Sequence, residues 1–244
     1  MLAAVSEIQI IWASSLPEST RVQIQRKYQD KVIANGFSAG NVGRMNDMIH
    51  EEERHHLNNL MIEADLWAKH SLRHSGKIEP ALFMHGPEGK AMFGPVDMST
   101  EREKDNFAAM ARLVCIAHGA DATVFVSEAW TRMAKPGQKL DMTKMPSQCA
   151  DRQEIVMMMG QTRNSCQQRM LPMERDRNGR FTGFGQEHKI NADRLGGRFA
   201  NLMPPDYPNA QSRAMAVDAL AKMGVVVRTK DERKEERRGM ERGM

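Results

Sequence analysis

Between residues 50 and 56 the chain reads His50-Glu51-Glu52-Glu53-Arg54-His55-His56, a run rich in residue types that bind metal ions. A helix that holds zinc with its own side chains needs two histidines four apart, so that both imidazoles leave one face and reach one ion. His50 has Arg54 at that position, so the motif fails. Glu51/His55 and Glu52/His56 are correctly spaced, but a site needs three or four ligands and the run names only two. The same spacing makes ordinary i,i+4 pairs on a solvated helix face. That reading is adopted, with no metal ligand set and no cofactor expected. His70 and His74 are also four apart, near a helix end where cations suit the dipole.

Nucleophilic chemistry has no better footing. Cys115 and His118 share a helix face, but a reactive thiol needs a lowered pKa and an exposed sulfur. Cys115 lies between Val114 and Ile116, which predicts burial. Cys149 sits in a long loop with no partner in reach of the argument. His85-Gly86-Pro87-Glu88-Gly89 and the glycines at 183, 185, 196 and 197 lack the strand–loop–helix context of a phosphate cradle. No catalytic residue is assigned.

Two groups of polar residues remain. Ser127, Glu128 and Trp130 close an apolar strand, and Asp151, Arg152 and Glu154 open the next one. If the two strands pair, the groups meet at one end of a sheet. They would form either a ligand pocket with an acid/base pair or an ion-pair network pinning the loop ends, and the structural alternative is favoured. The second group is basic. Residues 161–202 hold eight Lys or Arg against four Asp or Glu, an excess equal to the whole formal net charge of +4. Arg169, Arg175, Arg177, Arg180, Arg194 and Arg198, beside Phe181, Phe184 and Phe199, are the mix that follows a single strand by charge and stacking. Nucleic acid is therefore a possible partner.

The elements that must position these groups can be read from periodicity. Ser15 with Glu18 opens a first helix that Asn35-Gly36 ends. Met45, Met48, Ile49, Leu57, Leu60, Met61, Ala64, Trp67 and Ala68 recur at helical steps, and Gly76 follows the end of that second helix. Ala81–Met84 and Ala91–Phe93 flank turn residues and predict a hairpin. Thr100 with Glu103 is a capping box, and the helix it opens ends at Gly119. Ala122–Trp130 is rich in β-branched and aromatic residues and predicts a strand. A loop of some twenty residues leads to a strand over Glu154–Met159. Cys166–Arg177 and Arg180–Phe184 are then joined by Asn178-Gly179, a two-residue hairpin signal, and Pro172 marks an edge or a bulge. Ala210–Met223 is a last helix. From Arg228 onward the chain is a mixed-charge run that predicts a solvated helix or a disordered tail.

The expectation is an α+β fold: an antiparallel five-stranded sheet with its apolar side covered by the long helices. A helical extension over 1–44 precedes the core at 45–190, a loop and helix over 191–227 follow it, and a charged tail fills 228–244. The order helix, strand, strand, helix, strand, strand, strand over residues 45–184 resembles the profilin-like and roadblock-type domains. Such domains serve as dimerising scaffolds or ligand-sensing modules, and the resemblance implies a similar role. Val124-Phe125-Val126-Ser127-Glu128-Ala129-Trp130, followed by Asp151-Arg152-Gln153-Glu154, resembles an uncharacterised bacterial and phage domain family, which implies no activity.

Composition narrows the class further. Three cysteines without a CxxC pair argue against a disulfide framework and for a reducing compartment. The longest early apolar run, Ile8–Ala13, is too short to span a membrane, and Glu7 before it replaces the basic stretch of a signal peptide. A cytoplasmic or phage-particle protein with no membrane contact is expected. The 21 methionines either replace Leu in an ordinary core, the favoured reading, or build surfaces that adapt to several partners. The functional expectation is a non-enzymatic interaction or scaffold module that binds itself or a partner protein. Nucleic-acid binding through 161–202 is the alternative.

Overall fold

The computed structural model describes residues 39–94, 98–132, 141, 143–191 and 197–227. The helix expected after Ser15, the charged tail from Arg228 and part of the long loop (133–140 and 142) lie outside these.

Helix α1 spans Ala39–Ser75 and so runs across the boundary expected at residue 44. Leu57, Leu60, Met61, Ala64, Ala68 and Leu72 form its buried stripe. Gly76 ends it with φ 73°, its N–H bonding the Leu72 carbonyl, a left-handed cap that glycine takes without cost. Strands β1 (Ala81–Gly86) and β2 (Gly89–Phe93) form the expected hairpin. Helix α2 (Glu101–His118) begins with a complete capping box: Thr100 accepts from the Glu103 N–H and the Glu103 carboxylate accepts from the Thr100 N–H. Gly119, at φ 65°, ends α2 and turns the chain directly into β3 (Ala122–Thr131). After the loop come β4 (Gln153–Gln161), β5 (Cys166–Arg175), β6 (Phe181–Phe184), β7 (His188–Asn191) and α3 (Ala210–Lys222), whose N-cap is Asn209.

All the strands are antiparallel to their neighbours, in the order β2-β1-β3-β4-β5-β6, with β7 also paired to β5. The α+β class holds, with seven strands among the described residues where a five-stranded sheet was expected. The expected return arm of the β5 hairpin, Arg180–Phe184, forms β6 over Phe181–Phe184. His188–Asn191, mostly polar in sequence, becomes a strand by pairing with Gln167–Met170. The outer partner of β5 therefore changes from β7 to β6 beside Pro172, whose carbonyl accepts from the Gly185 N–H between the two.

The β5–β6 turn also departs from the two-residue form. Asp176 N–H bonds the Arg180 carbonyl and Gly179 N–H bonds the Asp176 carbonyl, leaving a three-residue loop with Gly179 at φ 78°. The Asp176 side chain selects this form by accepting from the N–H groups of Asn178 and Arg180.

The two longest helices do not share a face of the sheet. Ala122, Val124 and Val126 of β3 pack with Phe83, Val156 and Met158 against α1. Phe125, one residue out of phase, packs with Leu82, Met84 and Phe93 against Phe107 and Val114 of α2 and Leu220 of α3. The reason lies in the unbroken apolar run Val124-Phe125-Val126: a strand that is apolar on both sides must be covered on both. The result is three layers with the sheet in the middle. Among the described residues no helix is long and apolar enough to cross a membrane.

Strand register then defines two polar ends of the sheet. Trp130 stands opposite Glu154 at one end, and His85 stands opposite Ala122 at the other.

Candidate metal centre

The end expected to hold the site carries separate pairs. Glu128 accepts the Ile78 N–H at 2.6 Å, and partial burial raises its carboxyl pKa. Glu154 takes a two-point bond from Arg175 at 2.8 and 3.2 Å. Asp151 takes one from Arg132 at 2.8 and 3.0 Å. The Arg152 guanidinium lies 4.5 Å from the Trp130 ring and donates to the Ser147 carbonyl. Ser127 is buried in β3. The register brings both groups to one end, and each acid there is taken up by its own partner.

The basic segment is similarly committed. Arg169 bonds Glu187 at 2.5 and 3.0 Å. Arg198 reaches Glu101 and Asp105, each at 2.6 Å. Arg175 is held by Glu154, while Arg177 and Arg180 stand exposed at the hairpin tip. Arg194 lies outside the described residues.

At the other end three elements converge. Gly119 and Ala120 lead out of α2 so that Asp121 sits just before β3, its N–H bonding the His85 carbonyl at 2.9 Å. His85 is near the end of β1, and His56 comes from α1. The His85 Nδ1 lies 2.9 and 3.0 Å from the two Asp121 oxygens, and the His56 Nδ1 lies 3.2 Å from Oδ2. The two imidazoles stack with centroids 3.6 Å apart. About a fifth of each side chain stays exposed: 19% for His56, 17% for His85 and 19% for Asp121. Burial alone would raise the Asp121 carboxyl pKa, but the bonds from His56 and His85 outweigh it and hold the group well below the usual carboxylate range.

One donor atom from each residue lies within 4.8 Å of the other two. Bonds of about 2.1 Å put neighbouring ligand atoms about 3.0 Å apart at a right angle and about 3.4 Å apart at a tetrahedral one. The Asp121–imidazole spacings fall at the short end of that range. No family model, curated protein or solved structure matches this chain. The centre is therefore read from its own chemistry: two imidazoles and a carboxylate, a set that suits zinc, iron or another divalent transition metal better than calcium or magnesium.

A second layer of polar groups adjoins it. Glu53, one turn before His56, pairs with Arg163 at 2.9 Å, their side chains 3% and 4% exposed. Arg163 also donates to the Ala120 carbonyl at 2.7 Å and stacks 3.5 Å from the Tyr207 ring. The Tyr207 hydroxyl donates to Glu53 Oε1 at 2.7 Å, and burial, then the Glu53 charge, raises its pKa. His118 is buried and bonds the Gly89 carbonyl through Nε2, which must carry the proton because a carbonyl only accepts. Burial lowers its pKa to about 4.

Helical spacing alone sets His56 against Glu52 on its own helix. The partners it finds come from β1 and from the residue before β3, 65 positions further on. Asp121 carried no signal beyond its place after a helix-ending glycine.

Proposed function

We propose that this protein binds a divalent transition-metal ion through His56, His85 and Asp121. The observation that carries the reading is the convergence of two imidazole nitrogens from different elements on one carboxylate, at coordination spacing, in a partly exposed position. A hydrogen-bonded triad needs one histidine to hold a carboxylate. A second imidazole aimed at the same group adds little to a structural role, yet completes a three-donor set. Both Nδ1 protons would leave on binding, since only the neutral, deprotonated nitrogen can coordinate. Arg163, bonded to the carbonyl next to Asp121, would orient that ligand from behind.

The test is zinc titration by calorimetry together with native mass spectrometry. One ion per chain is expected, lost in His85→Ala and in Asp121→Ala, with circular dichroism showing both variants folded. A wild-type protein that takes up no zinc, or folded variants that bind it as well as wild type, would remove this reading.

One observation favours a second reading, self-association through the outer face of α1. Ile62 and Leu66, one turn apart, are 58% and 60% exposed. Light scattering should give a mass above the 27.6 kDa monomer, falling to the monomer in the double variant Ile62→Lys, Leu66→Lys. A wild-type monomer would refute it. Nucleic-acid contact has less support than the sequence charge implies, because Arg163, Arg169, Arg175 and Arg198 are committed to acids.

A further inference from the structure

We infer that the metal centre keeps a coordination position open and fills it with a small monoanion taken from solution. The inference rests on the metal reading above and adds what the bound ion does there.

Ligand number comes first. Sealed zinc sites that only hold a fold together use four protein donors, whereas centres that exchange ligands use three and leave the rest to water or substrate. The donor group here numbers three among the described residues. Of the neighbouring imidazoles, His55, whose ring lies 6.2 Å from that of His56, bonds the Asn59 side chain through Nε2, and the Nε2 proton of His118 is committed to the Gly89 carbonyl.

Access comes second. His56, His85 and Asp121 are only partly buried, so the centre borders solvent instead of lying inside either apolar core. An exogenous ligand can reach it without the sheet opening.

Charge comes third. A divalent ion with one carboxylate and two neutral imidazoles carries a net charge of about +1. The adjoining Glu53–Arg163 pair cancels internally and supplies no further negative charge. In a partly desolvated site an uncompensated charge is costly, and one monoanion removes it. Hydroxide from bound water, a carboxylate or a halide-like ion all satisfy that requirement. A dianion would overshoot it, and a cation would add to the excess.

Cobalt(II) and azide test this directly. Cobalt added to the full-length protein should produce visible d–d absorption, and azide should then shift the bands along a saturable single-site curve. Absence of cobalt bands in the wild type would sink the metal reading itself. Cobalt bands that azide leaves unmoved would overturn the open position alone. An azide-sensitive spectrum that survives in folded Asp121→Ala would place the signal elsewhere and overturn both.

Discussion

Glu53 on α1 and Arg163 in the β4–β5 turn meet at 2.9 Å with almost no solvent contact on either side chain. The pair joins the long helix to the sheet at the end where His85 and Asp121 lie. It is not fully satisfied: Glu53 Oε2 and Arg163 Nε are buried without a hydrogen-bond partner. Two desolvated charges contribute less net stability than their attraction suggests, but removing one leaves the other stranded. Arg163→Met, which keeps much of the volume, should therefore cost about 3–5 kcal/mol in urea unfolding. Adding Glu53→Gln to Arg163→Met should recover part of that loss. A single variant as stable as wild type would show that the pair does not hold these layers together.

Gly86 sits against backbone that leaves no room for a side chain. A Cβ there would lie 2.9 Å from both the His118 carbonyl oxygen and its ring Cδ2. The carbonyl belongs to the last turn of α2 and cannot swing aside. At Gly160 the closest atoms are the ends of Leu57 and Met61, at 2.9 and 3.0 Å, which can rotate away. Gly86→Ala should lose about 1–3 kcal/mol, as overpacking does, and clearly more than Gly160→Ala. Equal midpoints for the two variants in thermal melts would contradict this account.

The capping box of α2 predicts a pH signature. The Thr100 N–H, then the Thr100 and Ser99 hydroxyls, lower the Glu103 carboxyl pKa in the folded state. A carboxyl depressed on folding stabilises the fold above its unfolded value near 4.5, and that contribution disappears as pH falls through the folded value. Thr100→Ala should cost about 1 kcal/mol at neutral pH, with a smaller penalty as the pH drops below the unfolded value. A difference constant from pH 7 to pH 3 would show that the box plays no such part.

Thiol chemistry separates the three cysteines. Cys115 is fully buried in the α2 face of the core, and burial pushes its thiol up to about 12. Cys149 and Cys166 are partly exposed. Disulfide-exchange reagents at pH 8 should label at most two thiols in the native protein, the third reacting only after denaturant is added. Rapid labelling of all three would mean that α2 leaves the sheet under native conditions.

The elements that sequence revealed best are those whose signals are local. Thr100, Glu103 and Gly119 mark both ends of α2 within its own neighbourhood, and the Leu57–Leu72 stripe needs nothing beyond α1 to be seen. The strand His188–Asn191 has no local signal, because three of its four residues are polar and only the backbone of Gln167–Met170 makes it a strand. Val124-Phe125-Val126 did hold evidence for burial on both faces, but the run was read as one apolar side. The cluster of His56, His85 and Asp121 is the least legible part. His56 was visible as a residue type, yet what it meets depends on the β1–β3 register and on how α1 lies across the sheet. Neither is encoded in the spacing of residues 50–56.

The partner change on β5 has one more consequence. Among the described residues the far margin of the sheet is not a continuous strand: it is two pieces of four residues each, divided where Pro172 offers no N–H. An extended segment from another chain, seeking a ladder of main-chain bonds, would find four aligned residues before the rail ends. The break between β6 and β7 thus shortens the main-chain ladder open to a further chain on that side.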